Sequence, residues 1–561
     1  MKKSIYAALA FAMVVIMTGC SKKLNQFDSE YFTTNPNPLE AVADKVPGTV
    51  TANVPAKFFV KNAEVTVTPV LVYGDKEATS APYYFQGEKV NGNNQVIPYE
   101  TGSTVTIPVN FNYEPEMINS VLYLAFDVRQ GNKTYTLPRV EVGTGVIATS
   151  TLGYAESVTP ALAADKFQRI INEKHKADIN FLIYQTNIRA NQLKSDALAE
   201  LNKKVSEAQT DDRLEVEGIN ISSYASPDGG VKINTTIAEG REKSTQKYLN
   251  ETIKKNKYTE VGDLTAEFTA QDWEGFQELV SKSNIQDKDL IISVLSMYKD
   301  PETREREIRN LSAAFDQLAQ EILPKLRYSR LTASINVIGK SDEEIKEAFE
   351  KDPKSLTIEE ILYCASLYDD NSKKMEIYEA ATKIYPNDYR TYNNLGMTKY
   401  IAGDYDAASA NFNKAAKLAP NAPEVNMNNG LISLLNKDYR DARNSFGAAA
   451  GVDELPEALG TLYIKAGDYN AAVKAFGDVK SNNAGLAQLL NKDYSAANNT
   501  LNAVAEPDAI TYYLLAVVGA RTNNDQQVYN NLRKVAAADK DLLERAKVDK
   551  EFAKFNLSSI N

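Results

Sequence analysis

Residues 389–420 read YRTYNNLGMTKYIAGDYDAASANFNKAAKLAP. Apolar residues recur at helical spacing on both sides of a short polar turn, GDY at 403–405, so the stretch predicts two helices joined by that turn. The order of residue sizes carries the rest of the information. Tyr392 and Leu395 lead to Gly396, and Ala408 leads to Phe412, Ala415 and Pro420. A glycine on one helix and an alanine on the other let two antiparallel helices approach closely. The large residues then fill the space towards a neighbouring pair.

The same order returns downstream. Gly430, Ala442 and Phe446 follow 34 residues on, Gly460, Ala472 and Phe476 after another 30, and Gly485, Ala497 and Leu501 after 25. The turn recurs as GDY, KDY, GDY and KDY, ending at Tyr405, Tyr439, Tyr469 and Tyr494. Upstream, Tyr378, Ala381 and Pro386 close a degenerate first copy. AITYYLLAVVGARTNN, residues 509–524, opens a last one, and residues 537–556 form a polar cap. Seven of eight signature positions in 389–420 fit, with Lys399 in the eighth place and Tyr400 one residue late. Residues 355–561 therefore resemble the tetratricopeptide repeat (TPR) family. The resemblance implies an all-α solenoid that docks protein partners in its concave face. One repeat alone could not bury its apolar side, whereas five or six stacked ones can.

On the first helices, Asn393, Asn394, Asn426 and Asn429 are candidate partner-binding residues, because a side-chain amide matches a backbone amide. Lys399 joins them if its stem packs on the helix and its ammonium reaches a partner carboxylate. All five can equally be solvated face residues.

The chain begins MKKSIYAALAFAMVVIMTGCSKK, two lysines and an uncharged apolar run too short to span a bilayer as a stop-transfer helix. Thr18, Gly19 and Cys20 resemble the bacterial lipobox, which implies a signal peptide at 1–19 and acyl chains, palmitate among them, on Cys20. Residues 20–45, polar and rich in Asn and Pro, are expected to be a flexible tether. Ser21 rather than Asp follows the cysteine, and residues 21–27 carry no acidic cluster. By the behaviour of such lipoproteins, the expected location is the outer membrane, facing the periplasm. The other cysteine, Cys364, sits at a core position of a helical pattern, so the mature chain is expected to hold no internal disulfide. A net charge of −11 disfavours nucleic acid as a partner.

Residues 46–152 alternate apolar and polar residues, as in STVTIPVNFNY and SVLYLAFDVRQGNKTYTLPRVEV, with a hairpin turn expected at Gly131-Asn132. Several such strands predict a β-sandwich, either a binding module or a spacer. Residues 165–340 alternate strands and helices, with a helical insertion at 272–327.

Within that region, YASPDGGVKINTTIAEGREKSTQKYL at 224–249 runs from a strand end through a polar loop into a helix. It resembles the OmpA-like, peptidoglycan-associated family, with Asn234, Ile237, Ala238 and Arg241 in register. In that family a carboxylate and an arginine fifteen residues later clasp diaminopimelate of the cell wall. A carboxylate suits the ammonium and a guanidinium the carboxylate. Arg241 keeps the offset, but Ser226 occupies the acidic position, and Asp228 two residues on is a substitute only if the Pro227 loop allows it. Ser226, Asp228, Asn234 and Arg241 are thus candidate peptidoglycan-binding residues. Alternatively, Arg241 pairs with nearby Glu239 or Glu242. The ASPDG loop and DWEG at 272–275 resemble a divergent branch of the same family.

The predicted architecture is multidomain: β-sandwich, α/β OmpA-like domain and TPR solenoid. One histidine and one remaining thiol leave little room for a Ser-His-Asp or Cys-His site, and no phosphate-binding glycine motif occurs. No catalytic residue, metal ligand or cofactor is assigned. The expected function is a membrane-anchored scaffold for protein partners of an outer-membrane complex, with peptidoglycan anchoring as the alternative.

Overall fold

The computed structural model describes residues 23–285, 287–310 and 312–560. The expected signal peptide and the lipidation at Cys20 lie outside them. The chain forms two compact units, one of residues up to Ala164 together with those from Asp369 onward, the other Asp165–Tyr368.

The first unit begins with a β-rich region. Strands Phe32–Asn35, Lys45–Val54 and Ser103–Asn112 form one sheet in that order. A second runs Lys133–Thr144, Ser120–Gln130, Ala63–Tyr73, Tyr83–Gly87 and Gln95–Ile97, with Lys76–Thr79 beside Ala63–Tyr73. Alternation puts Val105, Ile107, Val109 and Phe111 of one sheet, and Leu122, Leu124, Phe126 and Val128 of the other, into a single core. Gly131, at φ 61°, makes the turn between the last two long strands, where a side chain would be strained.

The expected tether is a correction. From residue 23 it belongs to this region: Leu24, Phe27, Leu39 and Ala41 are buried in the same core, and Phe27 stacks on Phe126 at 4.5 Å. These apolar residues are outnumbered by polar neighbours, yet together they close the gap between the sheets.

From Asn371 onward the first unit is helical. After Asn371–Ile384 come pairs Tyr389–Ile401 with Tyr405–Leu418, Pro423–Leu435 with Tyr439–Gly447, and Leu455–Lys465 with Tyr469–Phe476. Asn482–Leu490 with Tyr494–Asn502 and Ala509–Arg521 with Asp525–Ala538 complete them, and Lys540–Val548 follows. The recurring turn has a backbone cause. The residue before each aspartate lies in the left-handed region, as Gly403, Lys437, Gly467 and Lys492. Asp404, Asp468 and Asp493 then cap the following helix by accepting from an N–H three residues on.

Close approach within the pairs rests on glycine. A Cβ on Gly430 would come to 2.5 Å from the buried Phe446 ring, and one on Gly396 to 2.6 Å from Phe412. Gly430→Val is therefore expected to destabilise the array by about 1–3 kcal/mol through overpacking. Gly447→Ala, where an added Cβ meets nothing within 4 Å, serves as the control. Hydrogen exchange of Pro423–Leu435 reads the effect; equal protection in both variants would contradict it.

The second unit holds a four-stranded mixed sheet in the order Ile170–Asn180, Tyr328–Ile338, Leu214–Tyr224, Asp263–Thr269. Helices Asp196–Glu207 and Val231–Asn256 connect its strands, and only Leu214–Tyr224 with Asp263–Thr269 pair in parallel. Among the described residues, helices Trp273–Ser281, Lys288–Met297, Pro301–Asn310 and Ser312–Glu321 form the insertion around their own core, with Phe276, Val280, Ile291 and Leu295. Trp273 packs edge-on against Phe276, as an anchor of this core. Cys364 is buried on Ile358–Ser366.

Candidate functional site

The first helices of the repeats carry a row of asparagines that face an extended stretch of the same chain, residues 154–164. At Ala161 the N–H donates to Asn428 Oδ1 at 2.7 Å, while the carbonyl accepts from Asn428 Nδ2 at 2.8 Å and Asn393 Nδ2 at 3.0 Å. Two residues on, Ala163 exchanges the same pair of bonds with Asn394, both at 2.9 Å. At the other end Tyr154 does so with Asn483, at 3.1 and 2.9 Å. Tyr400 Oη donates to the Ala155 carbonyl at 2.9 Å.

A side-chain amide has one acceptor and two donors, so a single asparagine satisfies both main-chain groups of one residue. Asn428 also donates to Asn393, and Asn393 to Asn394, which fixes the amide orientations. The contact is dry: Asn393, Asn394 and Asn428 are 0–1% exposed. Ala155, Val158 and Ala161 join the core made by Tyr400, Phe412, Met427 and Leu431. Just before this strap of residues 154–164, Leu152 is buried with Ile464 and Leu486, and a Cβ on Gly153 would come to 3.1 Å from Ile464. Recognition is thus of main chain plus small side chains.

A second cluster lies in the other unit. Asp228 accepts from Arg327 Nη2 at 2.9 Å and from Ser226 Oγ at 2.6 Å, and Arg327 Nε donates to Ser226 Oγ at 3.2 Å. Arg309 binds the Asp228 carbonyl. Asn234 Nδ2 donates to the carbonyls of Ser226 and Gly229, at 3.0 and 2.8 Å, and so folds the loop onto the helix start. Arg241 is 1% exposed and donates to three carbonyls, Tyr224 at 2.7 Å, Gln185 at 3.1 Å and Leu182 at 3.2 Å, with Phe181 against its plane. Burial pushes its guanidinium down to about 10, with Arg327 adding to the shift and Asp228 opposing it.

Residues 389–422 match the tetratricopeptide repeat model. The C-terminal region is a TPR array. The chain also resembles the mouse (Mus musculus) protein O-mannosyl-transferase TMTC1, at 30% identity over 112 residues, 19% of this chain. It spans 12% of that protein's length. Among solved structures, a tetratricopeptide repeat protein of Parabacteroides merdae matches at 14% identity and TM-score 0.30, over 38% of this chain and 91% of that one. PilF of Pseudomonas aeruginosa matches at 14% identity and TM-score 0.29, over 39% and 100%. The asparagine row of this array holds a segment of its own chain.

The structure corrects the residue expectations at both sites. Asn393 and Asn394 do line the TPR groove, but the strap already satisfies them. Asn426 turns back to the Ala422 and Pro420 carbonyls and Asn429 to Val425, so both serve their own helix. Lys399 pairs with Glu379 at 3.0 Å instead of reaching outward. Asn428 and Asn483 were missed, although a signal exists. Asn394, Asn428 and Asn483 each stand two residues before a repeat glycine, and Ala458 takes that place in the repeat whose glycine is Gly460.

At the second cluster, Asp228 receives its cation from Arg327, and Arg241 is spent on backbone carbonyls rather than paired with Glu239 or Glu242. Ser226 and Asn234 hold the loop. Among the described residues no group of three or more His, Cys, Asp or Glu could hold a metal ion, and no helix is long and apolar enough to cross a membrane.

Proposed function

We propose that this chain is a non-enzymatic scaffold lipoprotein, held on the periplasmic face of the outer membrane by acyl chains on Cys20, that assembles protein partners of an envelope complex. Its modules are a β-sandwich, an OmpA-like α/β domain and the TPR array. The observation that carries the reading is the occupied groove. The asparagine row clamps residues 154–164, so the array and the β-sandwich act as one platform, and partners meet its outer helices rather than its concave face. Support for the OmpA-like assignment comes from the strand order and from the register of Asn234 and Arg241. Cell-wall anchoring does not enter the reading, because Arg327 already neutralises Asp228 and Arg241 is enclosed.

Photo-cross-linking in intact cells tests the reading. A cross-linker at exposed Asn413 or Arg440, on second helices, is expected to capture an envelope protein. Capture only from variants whose strap has been removed would overturn it. Cys20→Ala is expected to move the protein from the membrane fraction to the soluble one, and continued membrane retention would overturn the anchor.

A further inference from the structure

The outer face of the larger β-sheet bears a cleft of about 610 Å³ that neither the scaffold reading nor the TPR groove uses. Strand register fixes its floor. Thr66 stands opposite Tyr84 on one side and Asp127 on the other, and Asp127 stands opposite Thr136. Tyr84, Thr66, Asp127 and Thr136 thus form a row across four strands, about 4.8 Å apart from strand to strand. Their neighbours Val65, Phe85, Phe126 and Val128 are buried, so this row points outward. A parallel row holds Glu64 and Arg129, which neutralise each other as an ion pair.

One wall is rigid. Buried Gln86 donates to the carbonyls of Val90 and Gly92, at 3.1 and 3.0 Å, and accepts from the Asn94 N–H at 3.1 Å. That pins the loop and sets Asn94 on the cleft. Tyr84 is 52% exposed. Among the described residues, the side chains of Thr66, Asn94, Asp127 and Thr136 make no hydrogen bond to the protein.

From this arrangement we infer that the cleft binds a neutral oligosaccharide. A pyranose ring offers an apolar C–H face and a rim of hydroxyls. Tyr84 supplies the ring to stack on the first, while Asp127, Asn94 and the threonines supply acceptors and donors for the second. Among the described residues lining the cleft, Glu64 and Arg129 pair and leave the Asp127 carboxylate uncompensated, able to accept from two neighbouring hydroxyls and to repel acidic sugars. The row crosses Ala63–Tyr73 and Ser120–Gln130, each paired on both sides, and only its end at Thr136 lies on the edge strand Lys133–Thr144, so a ligand lying along the row meets side chains rather than main chain.

Calorimetric titration of the full chain in detergent with chitotriose, cellotriose, maltotriose and xylotriose tests this, with trigalacturonate as the acidic comparison. Saturable binding of at least one neutral trisaccharide is expected, and none of trigalacturonate. Tyr84→Ala and Asp127→Asn are each expected to weaken it by about tenfold or more, the loss of one good contact. Both positions are on the surface, so thermal unfolding should match the parent. Absence of binding by all four sugars overturns the inference, as does binding that neither substitution weakens or tighter binding of trigalacturonate.

Discussion

Arg241→Ala is expected to destabilise the Asp165–Tyr368 unit by about 3–5 kcal/mol, the range for breaking a buried charged network. The guanidinium donates to the carbonyls of Leu182, Gln185 and Tyr224, and its removal takes a donor from each in a space that water reaches poorly, although the Leu182 carbonyl keeps the Gln185 N–H at 3.1 Å. Part of that cost is returned, because burial disfavours the charge, as its lowered proton affinity shows. Arg241→Met separates volume from hydrogen bonding: it refills the space and leaves the carbonyls bare, so it should recover little. Hydrogen exchange of Leu214–Tyr224 within the full chain is the readout. A loss below about 1 kcal/mol, the worth of an ordinary surface change or a single hydrogen bond, would contradict the structural role.

The second large effect concerns the strap. Asn394→Ala and Asn428→Ala should each cost about 1–3 kcal/mol, since each leaves a buried N–H and carbonyl of the strap short of partners. Together they remove both asparagine bonds of Ala163 and two of the three of Ala161, leaving the one from Asn393. Because the side chains are linked through Asn393, the double loss need not equal the sum. Fast exchange of the Ala161 and Ala163 amides and protease cleavage within 154–164 are expected. Asn428→Asp should cost more than Asn428→Ala, because its second oxygen would face the Ala161 carbonyl and Asn393 Oδ1 and its charge would be buried without a cation. Asn426→Ala should leave the strap untouched. A strap that stays protected in the double variant would show that its apolar residues, and not the asparagines, hold it.

The repeats were legible in the sequence because close helix approach needs Gly396, Gly430 and Gly460 at fixed distances from Phe412, Phe446 and Phe476. The occupant of their groove was not legible. An interaction through main chain imposes little side-chain signature, and residues 154–164 mix Ala155, Ala161 and Ala163 with Tyr154, Glu156 and Leu162 in no recognisable motif. The choice of Asn426 and Asn429 over Asn428 shows how finely the face must be known, since one residue along a helix turns a side chain by about 100°. Asp228 was read as a substitute for the acidic half of a ligand clasp, whereas it holds a cation of its own chain. Its source was hidden, because Arg327 lies 99 residues further along, beyond the inserted helices. In the N-terminal stretch, average polarity outweighed Leu24, Phe27, Leu39 and Ala41, whose spacing follows neither a helix nor a strand.

The strap also sets a timetable for synthesis. Its asparagine partners lie 231, 267 and 329 positions later in the chain. At about 5–20 residues per second, this segment emerges roughly 10–70 seconds before the helices that receive it. During that interval the whole Asp165–Tyr368 unit is made and can fold. The nascent chain must therefore keep an uncovered stretch out of aggregates until its last third arrives, which makes the final repeats a checkpoint: a chain truncated before Asn394 has nothing to shelter it.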